Sequence, residues 1–331
     1  MNDIYFEMAY GRLYEKIEHG KCEVFQYAGE EGTIRHLYIK KEIPFRLDGE
    51  AYYDLVTPYG YGGPLIIQVK EAGKACLVAA FQQAFQEYCL DQRIVCEFVR
   101  FHPVLLNAED FCGCYDLTLQ RYTTGTNLRD FEDPVKMEFS KSKQKSIQKA
   151  LRAGVEYRLI QNPQDLKNFK EIYERTMNRK EADAVYYFDE EYFNQLLRDL
   201  GEHIVLVEVL YEGEIIGMSL NFIYGKMIHI HLSGTLFEYR HLAPAFVMRY
   251  ALALWGKENG IDLIHEGGGK GQSLDDPLYL LKKQFGKNTD FQYFVSHKIW
   301  NPAIYQRLCE AQGVDEHTSH FPAYRFAPAK I

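Results

Sequence analysis

No run of about 20 apolar residues occurs in the 331-residue chain, so no helix is expected to span a membrane. The opening residues, Met1-Asn2-Asp3-Ile4-Tyr5-Phe6, have neither a basic stretch nor an apolar signal core. The expected location is the cytoplasm. Cysteine forms no framework either. The seven residues Cys22, Cys76, Cys89, Cys96, Cys112, Cys114 and Cys309 are odd in number and scattered, which suits reduced, packed thiols. Cys112-Gly113-Cys114 has no second pair to complete a zinc site. Positive charge is in deficit, with 38 Lys and Arg against 46 Asp and Glu and a net charge of −8. That excludes a protein built to coat nucleic acid, yet it leaves room for a local basic site. There is no Gly-x-Ser-x-Gly elbow. Gly269-Lys270-Gly271 lacks the upstream glycine and the following Ser or Thr of a phosphate-binding lysine loop. No sustained heptads are present.

What remains is a globular chain, 47% hydrophobic and long enough for two cores. The pattern hairpin, third strand, helix, strand recurs. In the first passage, Cys22–Tyr27 and Thr33–Lys40 form a hairpin around Gly29-Glu30-Glu31-Gly32. A strand and the loop Thr57-Pro58-Tyr59-Gly60-Tyr61-Gly62-Gly63-Pro64 follow. A helix from about Gly73 to Cys89 then presents Leu77, Ala80, Phe81, Ala84, Phe85 and Tyr88, and Ile94–Phe101 reads as a strand. In the second passage, Ile204–Leu210, Glu214–Ile223 and Lys226–Ser233 are strands. A helix from Pro244 to Glu258, with Phe246, Tyr250, Leu254 and Trp255 toward the core, leads to strand Ile261–His265. The fold class is α/β (α+β). It comprises two copies of one module, each a mixed central sheet flanked by helices. Asp133-Pro134 and the lysine-rich helix after Ser140 place the boundary at residue 145. The expected domains are 1–145, 146–300 and a tail, 301–331.

The segment His265-Glu266-Gly267-Gly268-Gly269-Lys270 opens a strand, glycine loop, helix sequence. Ser273 or Asp275 can cap the helix, and Leu278, Leu281 and Phe285 give it an apolar face. Gly267, Gly268 and Gly269 either present backbone N–H groups to an anion or make a tight connection. Asp275 and Asp276 already sit at the positive end of the helix, which disfavours phosphate there. Along Lys226–Ser233, Met227, His229, His231 and Ser233 share one face. His229 or His231 could take a proton from an amine. His265 and Glu266 are further candidates. Nothing beyond residue type supports a metal site among these four residues, and none is expected. Lys141, Lys145, Lys149 and Arg152 recur at helical spacing. They form either a basic stripe for a phosphate-bearing donor or acceptor, or a solvated face. Arg240 could grip a carboxylate or phosphate. Tyr59, Tyr61, Gly62 and Gly63 either line an acceptor groove or pack as a turn.

Taken together, Ile4-Tyr5-Phe6 with Tyr10-Gly11, the Pro58–Pro64 loop, and Phe169-x-x-Ile172-Tyr173-x-x-Thr176-Met177-x-Arg179 resemble the Fem family. The glycine segment followed by Leu278-Tyr279-Leu280-Leu281-Lys282-Lys283-Gln284-Phe285-Gly286 completes the resemblance, with Leu281 where the family has phenylalanine. Fem proteins are peptidyl transferases that carry two N-acyltransferase (GNAT) modules in tandem and act on peptidoglycan precursors. The resemblance implies that Lys282 stabilises the acyl carbonyl in the transition state, and Tyr279 of the same motif is a candidate for binding substrate. It also places Glu208 where some GNAT enzymes carry a base, unless Glu208 is simply a solvent-facing strand residue. Arg240-His241-Leu242-Ala243-Pro244 lacks the glycine pyrophosphate loop of acetyl-CoA enzymes, which favours an aminoacyl-tRNA donor. The chain also lacks the coiled-coil arm common in tRNA-using members.

The implied function is amide formation on an amine of a cell-wall or surface-glycan precursor. The co-substrate is aminoacyl-tRNA or acyl-CoA, with no tightly bound cofactor. The implied partners are a small-molecule or glycopeptide acceptor and charged tRNA, with no DNA. Lys141, Lys145, Lys149 and Arg152 would meet the donor. Two alternatives stay open. One is an acyl-CoA-dependent N-acetyltransferase acting on a sugar or peptide amine. The other is a non-catalytic protein binding a glycopeptide or nucleotide-sugar.

Overall fold

The computed structural model describes residues 2–326. The chain divides into two compact units, Met1–Gln120 with Tyr293–Ile331, and Arg121–Gln292.

In the first unit the hairpin is strand β1 (Lys21–Gly29) with β2 (Gly32–Glu42), registered at Val24↔Leu37. Strands β3 (Tyr53–Val56) and β4 (Gly63–Val69) both pair antiparallel with β2. The helix Lys74–Asp91 then leads to β5 (Ile94–Arg100), which runs parallel to β3. A parallel pair needs such a crossover, because its two strands start at the same end of the sheet. Leu77, Phe81 and Phe85 of the helix are buried against Val99 and Trp300. Inside this core Glu97 accepts from Tyr115 Oη and Trp300 Nε1, each at 3.2 Å, and contacts His36. Glu97→Gln puts an amide N–H where an acceptor is needed. It should cost about 1–3 kcal/mol, read by urea unfolding with tryptophan fluorescence.

The second unit repeats the plan. The chain enters it within β6 (Thr118–Asn127). Strands β7 (Val155–Gln161), β8 (Ile204–Tyr211), β9 (Glu214–Tyr224) and β10 (Met227–Thr235) pair antiparallel in that order. The helix Pro244–Glu258 crosses to β11 (Leu263–Gly268), parallel to β10 at His229↔His265. β11 pairs antiparallel with β6 on its other edge. The chain leaves the unit within β12 (Asp290–Ile299), whose later residues pair with β5 in the first unit. One sheet face, with Val205, Val207, Val209 and Ile228, packs on Val247, Met248, Ala251 and Leu252 of the crossing helix. The helices Lys167–Arg179 and Glu190–Leu200 bury Phe169, Ile172, Tyr173, Phe193 and Leu196.

Four sequence expectations change here. The units meet in sequence at Gln120/Arg121, not at residue 145. Residues 121–145 belong to the second unit because Leu128 and Phe139 lie in its core and Glu138 accepts from Asn288 N. Asp133-Pro134 reads as a break, but Asp133 caps the short helix Pro134–Glu138. Residues 293–300 pack in the first unit, through β12 and Trp300, and not in the second. In the helix Pro244–Glu258, Phe246, Tyr250 and Trp255 are only partly buried, and the small residues Ala251, Ala253 and Gly256 take the inner face.

The tail helix Pro302–Gln312 and Tyr324 share a core with Val95 and Cys96 in the first unit, and Arg325 pairs with Asp54. The last five positions of the tail lie outside the described residues. All seven cysteines are free, five of them buried. Among the described residues no helix is long and apolar enough to cross a membrane.

Candidate active site

β11 ends in glycine for two separate reasons. Gly267 has φ +74, a left-handed conformation that side chains disfavour. A Cβ on Gly269 would lie 2.3 Å from an oxygen of Asp276. That approach matters because Asp276 organises the loop. Its Oδ2 accepts from Lys270 N at 3.0 Å and Gly271 N at 2.9 Å, and its Oδ1 accepts from Leu278 N and Tyr279 N, both at 2.9 Å. Hydrogen bonds to the charged form favour it, beginning with that from Gly271, so the Asp276 carboxyl sits below the usual range.

The cap is therefore Asp276, where Ser273 or Asp275 was expected; Ser273 Oγ accepts from Asp275 N. The loop N–H groups of Lys270 and Gly271 are taken by a carboxylate of the chain itself, in line with the acidic residues that disfavour an anion there. The helix Pro277–Lys283 is also too short for a broad apolar face. Phe285 is buried, but Leu278 and Leu281 are exposed. Tyr279 is buried and gives its hydroxyl to Asp290 at 2.9 Å. Burial, then the Asp290 hydrogen bond, raises the phenol above its ordinary value.

With the N–H groups occupied, the carbonyls face the cations. Lys282 Nζ donates to Gly268 O at 2.9 Å, and Arg121 Nη1 donates to Gly269 O at 2.7 Å. Lys282 is half-buried, and its ammonium is pushed down to about 8. Burial is the main cause, opposed by the charge of Glu266 and aided by Arg249 and Arg121. Glu266 is 2% exposed. Its Oε2 accepts from Arg249 Nε at 2.9 Å. Arg249 comes from the crossing helix, where Nη1 also donates to Ala245 O at 2.9 Å and the guanidinium lies 5.0 Å from the Phe285 ring centre. Glu266 Oε1 has no hydrogen-bond partner among the described residues. A carboxylate, a half-buried ammonium and two guanidinium groups thus gather at the end of β11.

Most of the expected proton acceptors have partners of their own. His265 Nε2 is 2.9 Å from Thr123 Oγ1 on β6, and its ring is 5.4 Å from that of His229. Glu266 turns instead toward the crossing helix. The register of β10 shifts between Ile230 and Leu232, so the expected alternation holds through His231 and is lost beyond it, at Ser233. His231 Nε2 is 2.8 Å from Tyr192 Oη and packs on Phe222. Burial, then the charge of His229, pushes the imidazole down to about 3, so it stays neutral near pH 7 and is a weak base. Glu208 is buried and ion-paired with Arg158, its register partner on β7. It is neither the solvent-facing residue of one reading nor joined to Lys282.

Arg240 caps a different feature. Its guanidinium lies 4.2 Å from the centre of the exposed Phe237 ring, and Arg179 lies 5.1 Å from the same ring. Lys141, Lys145, Lys149 and Arg152 are all exposed on the helix Lys141–Arg152, opposite the buried Ile147 and Ala150. In the first unit, Tyr59 O accepts from Tyr10 Oη at 2.7 Å, and Tyr61 packs edge-on against Tyr5 and Tyr293. Gly62 O accepts from the buried Asn107 at 2.8 Å, and Gly63 has φ +84 at the start of β4.

Sequence reasoning missed Arg249, Arg121 and the role of Asp276. Arg249 carried a signal, a lone cation within Phe246-Val247-Met248-Arg249-Tyr250-Ala251. Arg121 carried none, because its partner is 148 residues away.

Known proteins share the fold that carries this arrangement. A family model described as an acetyltransferase (GNAT) domain matches residues 138–272. A curated relative, the UDP-N-acetylmuramoylpentapeptide-lysine N(6)-alanyltransferase of Weissella viridescens, is 24% identical over 185 residues. That alignment covers 55% of this chain and 54% of the relative, so the chain spans about half the length of that relative. The crystal structure of FemX superposes with a TM-score of 0.68 at 14% identity, covering 92% of this chain and 94% of FemX. The C-terminal domain of a putative lysylphosphatidylglycerol synthetase from Agrobacterium fabrum gives 0.58 at 13% identity, covering 94% and 91%. The repeated sheet and the crossing helices agree with these matches: residues 138–272 match a GNAT acyltransferase domain, and the chain is similar in fold to FemX.

Proposed function

We propose that the protein is a Fem-type aminoacyltransferase, forming an amide on an amine of a cell-wall precursor with aminoacyl-tRNA as donor. The observation that carries this reading is Lys282, a half-buried ammonium fixed to Gly268 O beside a buried acid–base pair. The acceptor amine attacks the ester carbonyl. The C–N bond forms, the ribose oxygen leaves, and the proton lost by the amine passes to that oxygen. Lys282 would face the oxyanion of the tetrahedral intermediate, where a fixed donor contributes most. Little further covalent machinery is required, because holding the two reactants together supplies much of the rate. The relative's acceptor, a UDP-linked muramoyl pentapeptide, is the first acceptor to assay.

The basic face of the helix Lys141–Arg152 would meet the phosphates of the donor. The purified protein is titrated with bulk charged tRNA at low and physiological salt, and separately with acetyl-CoA. Charged tRNA is expected to bind saturably and to weaken steeply with salt. Changing Lys141, Lys145 and Lys149 together to alanine should lower affinity at least about tenfold and flatten the log–log salt slope by about 2–3. Tight acetyl-CoA binding without tRNA binding would replace this reading with a CoA-dependent N-acetyltransferase. Binding of neither would favour a non-catalytic glycopeptide-binding role.

A further inference from the structure

The aminoacyl reading leaves one feature at the end of β11 unused, the second oxygen of Glu266. We propose that Glu266 reads the α-amino group of the donor's aminoacyl moiety and so selects aminoacyl over simple acyl donors. This inference rests on the transferase reading above and adds a specificity-determining residue to it. Three observations carry it. Glu266 is 2% exposed, yet only Oε2 is engaged, by Arg249, while Oε1 is a buried acceptor without a partner. Buried polar atoms are seldom left unfilled unless a ligand or water completes them. Lys282 Nζ donates to Gly268 O at 2.9 Å, two residues along β11 from Glu266, so the carboxylate lies close to the group assigned to the carbonyl oxygen.

The chemistry of the donor supplies the next step. In an aminoacyl ester the α-nitrogen is two bonds from the carbonyl carbon. Whatever reads that nitrogen must stand next to whatever holds the carbonyl oxygen. Glu266 stands there, paired through Oε2 with Arg249 and on the same strand as the carbonyl that Lys282 holds. Without it, these cations would repel an α-ammonium. With it, either the ammonium or the neutral amine can donate to Oε1. An acetyl group offers no such donor, so a site built this way leaves Oε1 unsatisfied when acetyl-CoA is bound. Rejecting an analogue that lacks a required hydrogen-bond donor is more effective than rejecting one of the wrong size.

The test compares two probes on the full chain, bulk tRNA charged with an amino-acid mixture and the same pool after N-acetylation. Filter binding should show the free-amine pool bound about 10–100-fold more tightly by the wild-type protein, the range for one charge-assisted hydrogen bond. Glu266→Gln should bring the two pools within a factor of about three by weakening the free-amine pool alone. Asp290→Asn, at a carboxylate that faces Tyr279 and Lys283, should leave the ratio at its wild-type value. A thermal melt of each variant reports folding. If the wild-type protein binds both pools equally, the inference fails and the transferase reading stands. If Glu266→Gln weakens both pools alike, Glu266 only holds Arg249 in place and the inference fails. If neither pool binds, the transferase reading falls and takes the inference with it.

Discussion

Lys282→Met is expected to cut the proposed aminoacyl transfer by about 10²–10³-fold and yet to stabilise the fold at pH 7 by about 1–2 kcal/mol. The two effects share one cause. Burial pushes the ammonium down to about 8, while an unfolded lysine titrates near 10.4. Between those values the unfolded chain binds the extra proton, so stability rises with pH across that window. Below about pH 8 the folded state carries the whole cost of a charge held partly out of water. Methionine removes that cost and keeps most of the packing. It also gives up the hydrogen bond to Gly268 O, which offsets part of the gain. The advantage of the variant should therefore close as pH approaches about 10. Urea unfolding at pH 7 and again near pH 10 measures it. A variant that is destabilised at both pH values would show that Lys282 is structural.

The activity profile carries the same signature. Lys282 is charged below about pH 8, so the alkaline limb of kcat should fall there as the oxyanion loses its partner. Lys282→Arg keeps its charge and should carry that limb upward, though at a lower plateau, since a guanidinium does not reproduce the position of the ammonium. An alkaline limb that ignores the arginine substitution would remove Lys282 from the reaction.

Much of the architecture was legible because alternation and helical periodicity are local. The hairpin at Gly29–Gly32, the helix with Leu77, Phe81 and Phe85, and the order repeated from Ile204 onward each follow from spacing within a dozen residues. The lysine-rich face opposite Ile147 and Ala150 was equally plain. Errors arose where one residue type serves two ends. Asp133-Pro134 looks like a linker and is a helix cap. Leu278 and Leu281 fit an apolar stripe, but a helix of 7 residues has under two turns, and spacing alone does not say which side meets the core. Ser233 follows a bulge at His231, beyond which the period of two is lost. The site itself was half visible. Glu266 and Lys282 lie in the glycine segment and the helix that follows it, whereas Arg121 and Arg249 arrive from β6 and the crossing helix through long-range pairing that no local pattern encodes.

Those long-range partners set up the second large effect. Arg249→Met should cost about 3–5 kcal/mol, because it leaves Glu266 ionised, 2% exposed and without its guanidinium. The double variant Arg249→Met, Glu266→Leu should recover most of that loss, since an apolar pair in place of a buried ion pair is often neutral or better. The recovery separates a pair kept for stability from one kept for chemistry. Its consequence for Lys282 can be signed. Glu266 raises the Lys282 value and Arg249 lowers it, so the two oppose each other. Removing Arg249 alone should move the alkaline limb of kcat to higher pH, and Glu266→Gln should move it lower. Removing both should return it close to its wild-type position while the preference for a free α-amino group is lost. A double variant that is stable and correctly titrating, yet blind to the α-amino group, would show that the fold tolerates the loss of the pair and that substrate selection requires it. A double variant as unstable as Arg249→Met would instead assign Arg249 its value through Ala245 O and the Phe285 ring, and not through Glu266.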